Sequence, residues 1–195
     1  MDDILNLDNY VIWRPVFFAL STRYEAYNES GVKLIDIMPK LLVGNYILKD
    51  NNGTEIGEIH HKMVSLMPTY ELYDGSRQLL GIVSEQITIN LTGIRKFVLQ
   101  DANGNKIASL AIPSPLAAVT QIITGMQTGT GYDITGADES TVIAKVSVQG
   151  ADARSTKSKM ASIKIQIINK NLPVLIIMEL AIAIDNFYVR SMSRR

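Results

Sequence analysis

The sequence contains no cysteine among its 195 residues. This absence excludes disulfide bridges, thiolate zinc sites, a cysteine nucleophile and palmitoylation. Only two histidines are present, His60 and His61, and neighbouring residues of a strand point to opposite faces, so they cannot bind one metal ion together. No serine or carboxylate stands beside a histidine in a recognisable catalytic arrangement. We therefore expect a protein that is not an enzyme and carries no cofactor or metal ion.

An excess of one charge is also absent, because 19 lysines and arginines balance 19 aspartates and glutamates. A net charge of zero argues against a dedicated nucleic-acid-binding protein. The first residues, Met1–Asp8, are acidic and do not form the basic start of a secretory signal peptide. We expect a single domain over residues 1–195, located in the cytoplasm, with peripheral membrane association as an option.

Long apolar stretches are rare, and the main one covers residues 172–189. Between Val174 and Ile184 its only polar residue is Glu179. The stretch is too long for a buried strand, and Pro173 suits a first helical turn. A helix without a polar face is buried either in protein or in a bilayer, and a carboxylate at mid-bilayer costs about 2.5–3.5 kcal/mol. We predict a helix over about 173–189 inside the protein, with a C-terminal membrane anchor as the alternative.

A hairpin pattern occurs five times in the sequence. In it an aromatic residue opens a strand, a polar turn often contains Asn or Asp and then Gly, and apolar residues alternate on the way back. The copies are Tyr24–Ile37, Tyr46–Ile59, Tyr70–Val83, Phe97–Leu110 and Tyr132–Lys145. Alternating apolar residues around such a turn predict β-hairpins.

The pattern also predicts which face of each hairpin is buried. The opening aromatic residues share a face with small return-strand residues such as Gly57, Gly81 and Ala108, which would leave room for a bulky interior element. Five hairpins, a strand at Tyr10–Trp13 and another at Ser162–Ile168 give twelve strands. A barrel of about eleven strands can hold a central helix. We therefore predict a mainly β protein, a closed antiparallel barrel of about twelve strands built from hairpins around the buried apolar C-terminal helix.

Three connections depart from the pattern. The segment 113–131 is long, and we predict a short helix over Leu116–Ile123. Residues 84–93 extend the third return strand. Residues 150–159 are polar and basic, which predicts an exposed loop.

The order of these hairpins, followed by the apolar stretch Val174–Asp185, resembles the tubby C-terminal-like superfamily. The most similar branch contains the plant LURP-one-related proteins and the phospholipid scramblases. The resemblance covers roughly Tyr10–Tyr188 and implies a twelve-stranded barrel around a hydrophobic C-terminal helix. It also implies lipid-headgroup binding, as in tubby proteins, or lipid movement, as in scramblases. No stretch matches the tubby phosphoinositide pocket, so no binding residue is carried over.

Basic residues give the candidate ligand-binding sites. The first cluster consists of Arg154, Lys157, Lys159 and Lys164, and a second, weaker one of Arg95 and Lys96. Each cation contributes about 1 kcal/mol near an anionic membrane, whereas most charged loops are simply solvated. These clusters favour a non-enzymatic module that binds anionic phospholipid headgroups or another small anion. The alternatives are an intracellular protein-interaction scaffold without a lipid role, and a C-terminally anchored scramblase-like protein.

Glu179 is the polar residue expected inside the barrel. A buried carboxylate must be protonated, hydrogen-bonded or paired with a cation. One interpretation places Glu179 at a wet rim. The other places it in the interior, where an inward lysine or arginine, or the hydroxyls of the opening tyrosines, would bind it; these tyrosines are Tyr24, Tyr46, Tyr70 and Tyr132.

Overall fold

The structure, a computed structural model, describes residues 4–15, 23–40, 44–62, 69–86, 94–113, 130–149 and 160–193. These residues form twelve strands and a helix. The strands are β1 (Asn9–Pro15), β2 (Tyr24–Tyr27), β3 (Lys33–Pro39), β4 (Tyr46–Asp50), β5 (Glu55–Lys62), β6 (Thr69–Asp74), β7 (Leu79–Gln86), β8 (Ile94–Gln100), β9 (Lys106–Pro113), β10 (Thr130–Gly136), β11 (Val142–Gln149) and β12 (Met160–Ile167), and the helix α1 is Val174–Ser193.

The twelve strands close into one antiparallel barrel. Each strand pairs with its neighbours in sequence, and β1 pairs with β12 to complete the ring, for example through Tyr10 opposite Ile165. A closed ring leaves no unpaired strand edge. The predicted fold, a closed antiparallel barrel of about twelve strands around a C-terminal helix, is confirmed.

Five hairpin turns lie at one end of the barrel. Positive backbone φ angles occur at Gly31, Gly53 and Gly104 (78°, 81° and 83°), where glycine avoids a steric penalty. The two remaining turns place Arg77 and Glu139 in this conformation, with φ of 64° and 60°. Local hydrogen bonds stabilise these turns. Three of the turns begin at Asp50, Asp74 and Asp101, and each of these carboxylates accepts hydrogen bonds from the backbone N–H groups two and four residues ahead. Asx turns of this type are the reason that Asp and Asn begin such loops.

The barrel interior follows the predicted alternation. The residues that open the outgoing strands are buried with the residues two places on: Tyr24 and Ala26, Tyr46 and Leu48, Tyr70 and Leu72, Phe97 and Leu99, and Tyr132 and Ile134. On the return strands Ile59, Val83 and Leu110 point to the same side and are buried. The side-chain period of two therefore gives every described hairpin one apolar face, and these faces together form the core.

Helix α1 fills the barrel. All its side chains from Val174 to Phe187 are buried, on every side of the helix. The helix follows β12 at the end that holds the hairpin turns, and it extends to Ser193, beyond the predicted boundary at about 189. It packs most closely on β5 and β6 and also on β7 and β12. The helix replaces the side-chain layers that fill barrels of about eight strands.

Some predictions fall outside the described residues. These are the short helix over Leu116–Ile123, the extension of β7 beyond Gln86 and the exposed loop over residues 150–159. Within the described part of the chain, no helix has the length and apolar character needed to cross a membrane.

Candidate functional site

A groove of about 1130 Å³ lies on the barrel wall formed by β8 to β12 and β1. Its floor includes short side chains such as Ser109, Ala111 and Ser147, and the glycine Gly131. Small residues on neighbouring strands leave space above the sheet. The charged groups around the groove are Lys96, Lys145, Lys164, Glu29, Asp133 and Glu139. The groove has the volume of a small-molecule site and is bordered by several charges.

Lys145 and Lys164 differ from Lys96, the other lysine of this groove, which pairs with Glu139. Both are exposed on the outer face of the barrel, on the adjacent strands β11 and β12. Lys145 lies opposite Gln166 and Lys164 opposite Ser147, which makes the two lysines diagonal neighbours. Such neighbours are about 7–8 Å apart, so two flexible lysine side chains can converge on one anion. Neither lysine forms an ion pair with a described acidic residue, although Asp133 lies opposite Lys145 in the register.

The predicted cluster is divided by the limits of the described chain. Lys164 lies in the groove, whereas Arg154, Lys157 and Lys159 lie outside the described residues. In the sequence these three cations fall between Gln149, the end of β11, and Met160, the start of β12. The segment that carries them therefore joins the two strands that bear Lys145 and Lys164.

The second predicted cluster is separated by the strand alternation. Arg95 pairs with Glu85 at 3.4 Å, and its guanidinium carbon lies 5.1 Å from the ring centroid of Phe187 on α1. Lys96 points to the outer face and pairs with Glu139 at 2.6 Å. The same carboxylate also binds Lys106, and these two lysines lower the pKa of Glu139 to about 2. Arg95 and Lys96 therefore do not act as one site.

Glu179 lies in the barrel interior with an exposed fraction of 0 %. Neither carboxylate oxygen has a hydrogen-bond partner among the described residues. Burial raises the pKa of Glu179 well above its usual value, and the negative charge of Asp74 raises it further. The wall in front of the carboxylate is Gly57, where a methyl group would overlap Oε1. Both expected environments, a wet rim and a partnered interior site, are therefore wrong.

Three of the opening tyrosines bind other residues of the helix. The Tyr24 hydroxyl donates to Oδ2 of Asp185 at 3.1 Å, and the Tyr46 hydroxyl donates to Oδ1 of Asn186 at 3.2 Å. The Asn186 amide in turn donates to the Tyr70 hydroxyl at 3.4 Å. These bonds lie beyond Glu179 along α1, at the end of the barrel opposite the hairpin turns. The tyrosines therefore fix the second half of the helix.

The two histidines point to opposite faces of β5. His60 contacts the Glu58 carboxylate on the outer face, and Lys40 contacts that same carboxylate. Burial and the positive charge of Lys40 lower the pKa of His60. His61 packs on the Tyr70 ring, with 5.0 Å between centroids. Among the described residues no group of three or more His, Asp or Glu side chains has an arrangement that would hold a metal ion.

Lys145 is the groove residue that sequence reasoning missed. The alternation of β11 places it on the outer face, and this information was present in the sequence. Its position beside Lys164 depends on the register between β11 and β12, which places Ser147 opposite Lys164. The sequence between the two strands contains no recognisable turn motif from which that register could be predicted.

Comparisons with known proteins bear on the fold. No protein-family model matches the chain. No curated protein matches it either. Among solved structures, the chain is similar to the X-ray structure of the Arabidopsis thaliana protein AT5G01750, with a TM-score of 0.53, 12% sequence identity and coverage of 91% of each chain. At this identity the similarity shows a shared fold and nothing about activity.

Proposed function

We propose that this protein is a non-enzymatic module that binds anionic phospholipid headgroups at a membrane surface through the outer face of β11 and β12. The observation that carries the proposal is the pair Lys145 and Lys164, exposed side by side in a groove and without a described acidic partner. The segment between these strands adds Arg154, Lys157 and Lys159. In the sequence, these five cations fall between residues 145 and 164.

The surrounding lysines support the choice of this pair. Lys96 and Lys106 are both engaged by Glu139. Breaking such a pair to bind a lipid phosphate would exchange one exposed ion pair for another, with little net gain. Lys145 and Lys164 gain a partner without losing one from the described chain. A headgroup phosphate is therefore favoured at β11 and β12 over the neighbouring β8 and β9.

The expected affinity is low and sensitive to salt. Each cation near an anionic membrane contributes about 1 kcal/mol, so five contribute at most about 5 kcal/mol, which corresponds to binding in the millimolar to submillimolar range. Exposed charges are screened over about 8 Å at physiological ionic strength. Binding should therefore weaken strongly between low and physiological salt.

The fold supports the more specific family assignment as part of this proposal. We place the chain in the tubby C-terminal-like superfamily, near the LURP-one-related and scramblase-like proteins, on the order of its hairpins and its barrel around an apolar helix. The lipid-binding properties of that superfamily agree with an anion-binding surface. The site proposed for this chain rests on its own lysines.

Vesicle sedimentation tests the proposal. The wild-type protein is mixed with vesicles of phosphatidylcholine alone and with vesicles that contain phosphatidylserine, at low and physiological salt. We expect sedimentation only with the anionic vesicles, reduced by salt. Replacement of Lys145 and Lys164 by serine should reduce the bound fraction several-fold, and the further changes Arg154→Ser, Lys157→Ser and Lys159→Ser should abolish binding.

A charge-matched control separates this site from a general effect of charge. Lys49→Ser with Lys62→Ser removes two cations from β4 and β5, on a distant part of the ring. This control should bind as the wild type does. Excess soluble glycerophosphoserine distinguishes recognition of the headgroup alone, which it would inhibit, from attraction to a charged surface, which it would leave unchanged. Absence of binding by the wild-type protein would contradict the proposal and favour the scaffold alternative.

A further inference from the structure

Among the described residues, the Glu179 carboxyl is the buried side-chain group whose oxygens lack a hydrogen-bond partner. It is fully buried at the centre of the barrel. An ionised carboxylate without a partner is very unfavourable in an apolar interior, and such a group takes a proton instead. A neutral carboxylic acid has a much smaller desolvation cost, comparable to that of other uncharged polar groups.

Among the described residues of the barrel wall, no lysine or arginine binds the Glu179 carboxyl. Besides Asp74 of β6, the inward titratable groups of the strands that pack on α1 are His61 of β5, Tyr70 of β6 and Glu85 of β7. Glu85 already pairs with Arg95. The one charged residue of β12, Lys164, points to the outer face of the barrel. On α1 itself the next acid is Asp185, which accepts from Tyr24.

The charge that does act on Glu179 is negative. Asp74, at the end of β6, adds its negative charge to the effect of burial. Asp74 itself stays ionised, because hydrogen bonds from Ser76 and the turn backbone lower its pKa. Ionisation of Glu179 would therefore add a second negative charge close enough to that of Asp74 to be repelled by it.

The fit of the carboxyl against the wall is close. An added Cβ at Gly57 would overlap Oε1 of Glu179, and it would also lie 3.1 Å from Cδ1 of Leu175 and 3.3 Å from the carbonyl oxygen of Tyr73. There is no room here for the hydration that an ionised carboxylate requires. The glycine and the carboxyl therefore form a contact that suits the neutral acid.

We propose that Glu179 is protonated in the folded barrel and ionised in the unfolded chain, so that folding at neutral pH takes up one proton. The contribution of Glu179 to the stability of the fold then decreases as the pH rises. This inference is independent of the proposed membrane function, because none of its groups lies on the outer face of β11 or β12.

The sign of the pH dependence follows from the two states. Below the usual glutamate pKa, about 4.5, the carboxyl is neutral in both states and has no effect. As the pH rises, the unfolded chain releases the proton and the folded chain keeps it, so the unfolding equilibrium constant increases tenfold per pH unit. The increase ends at the pKa of the folded state. Tenfold corresponds to about 1.4 kcal/mol at 25 °C.

Equilibrium unfolding in urea between pH 5 and pH 9 tests the inference. Wild-type protein and Glu179→Gln are compared at each pH. The ratio of their unfolding constants should increase by up to tenfold per pH unit, and Glu179→Gln should be the more stable variant at high pH. The comparison cancels the opposing contribution of His60, whose pKa is lowered and which therefore favours folding above its usual pKa of 6.5. Glu55→Gln, a change to a half-exposed glutamate near Gly57, should show the same pH dependence as the wild type.

Infrared spectroscopy supplies a second readout. Folded wild-type protein at neutral pH should show a protonated carboxylic C=O band that Glu179→Gln lacks. If Glu179→Gln fails to fold, Glu179→Met provides an apolar replacement for both measurements. A third measurement needs no variant: the wild-type protein should release protons when urea unfolds it at pH 7. A constant ratio of unfolding constants, a missing band, or unfolding without proton release would each overturn the inference.

Discussion

At the residue scale, the contact between Gly57 and Glu179 determines how closely α1 approaches β5. Gly57→Ala should lower the free energy of unfolding by about 1–3 kcal/mol, the usual cost of adding a carbon to a filled core. The reason is the overlap of the new methyl group with Oε1 of Glu179. Urea unfolding measures the change.

A double-mutant cycle isolates this contact. In a Glu179→Ala background the clash with Oε1 is removed, and Gly57→Ala should cost less because only Leu175 and the Tyr73 carbonyl remain close. An equal cost in both backgrounds would show that the carboxyl does not fill the space in front of Gly57.

A second residue-scale prediction concerns Asp50 in the β4–β5 turn. Its Oδ1 accepts hydrogen bonds from the backbone N–H groups of Asn52 and Thr54 at 2.9 and 2.8 Å. Asp50→Ala should lower the free energy of unfolding by about 1–3 kcal/mol, the net contribution of two such hydrogen bonds, because both backbone donors lose this acceptor. Asp50→Asn keeps an acceptor oxygen and serves as the control. A thermal unfolding series compares them, and equal losses for the two variants would mean that the carboxylate charge, not the acceptor, matters.

At Glu179, the sequence did not predict the surroundings of the side chain. Its position on the buried helix follows from the apolar residues around it, but the sequence left open whether its carboxyl meets a wet rim or the barrel interior. Its lack of partners depends on which wall residue faces it, and this is set by the packing of α1 on β5 rather than by any local pattern. The tyrosines face inward as the alternation requires, but the axial position of the helix brings Asp185 and Asn186, not Glu179, to their hydroxyls.

At the element scale, α1 supplies the apolar side chains that fill the barrel interior. Ile177→Asp or Leu180→Asp should abolish folding to a soluble protein, because each replaces a fully buried side chain by an unpaired charge. Removal of all residues after Asn171 should have the same effect. Circular dichroism, gel filtration and urea unfolding measure the outcome. Ile168→Asp, at an exposed position just after β12, is the matched control and should fold. A truncated chain that remained monomeric and unfolded cooperatively would contradict this role of the helix.

The tyrosine bonds of α1 give a finer prediction at the same scale. Tyr24→Phe removes the donor to Asp185 without changing the ring, and we expect a loss of about 1–3 kcal/mol in the free energy of unfolding. In an Asp185→Asn background the further loss should be smaller, since the acceptor charge is already absent. Full additivity of the two changes in urea unfolding would show that the pair does not interact in solution.

Elements were more predictable than contacts. Each hairpin is specified within about fourteen consecutive residues, by an aromatic start, a polar turn and alternation. The positions of Gly31, Gly53 and Gly104 in these turns show why local chemistry suffices there. The sequence between β11 and β12 has no such turn motif, so the approach of Lys145 to Lys164 required the register of the complete sheet.

At the scale of the whole molecule, two sets of carboxyl groups act on stability in opposite directions. Hydrogen bonds within the turns lower the pKa values of Asp74, Asp101 and Asp138, and Lys106 and Lys96 lower that of Glu139. A depressed folded-state pKa stabilises the fold above the unfolded value and loses this effect as the pH falls. Glu179 has the reverse sign.

The opposite effects of these carboxylates and of Glu179 together predict that the protein is most stable at a pH somewhat below 7. The midpoint of thermal unfolding should decrease below about pH 4, where the turn carboxylates are protonated, and also above neutrality, where Glu179 opposes folding. Glu179→Gln should lose the decrease at higher pH and keep the decrease at low pH. A wild-type midpoint that stays constant from pH 5 to pH 9 would contradict this balance.

The pairing of β1 with β12, with α1 following both, has a consequence for synthesis of the chain on the ribosome. Eleven strands emerge before the strand that closes the ring, and the helix that fills it emerges after them all. During translation the inward apolar faces therefore remain without their partner, in a state that is prone to misassociation. Protection of the nascent chain by a chaperone until α1 is released would suit this order, and moving α1 ahead of β1 by circular permutation should reduce that dependence.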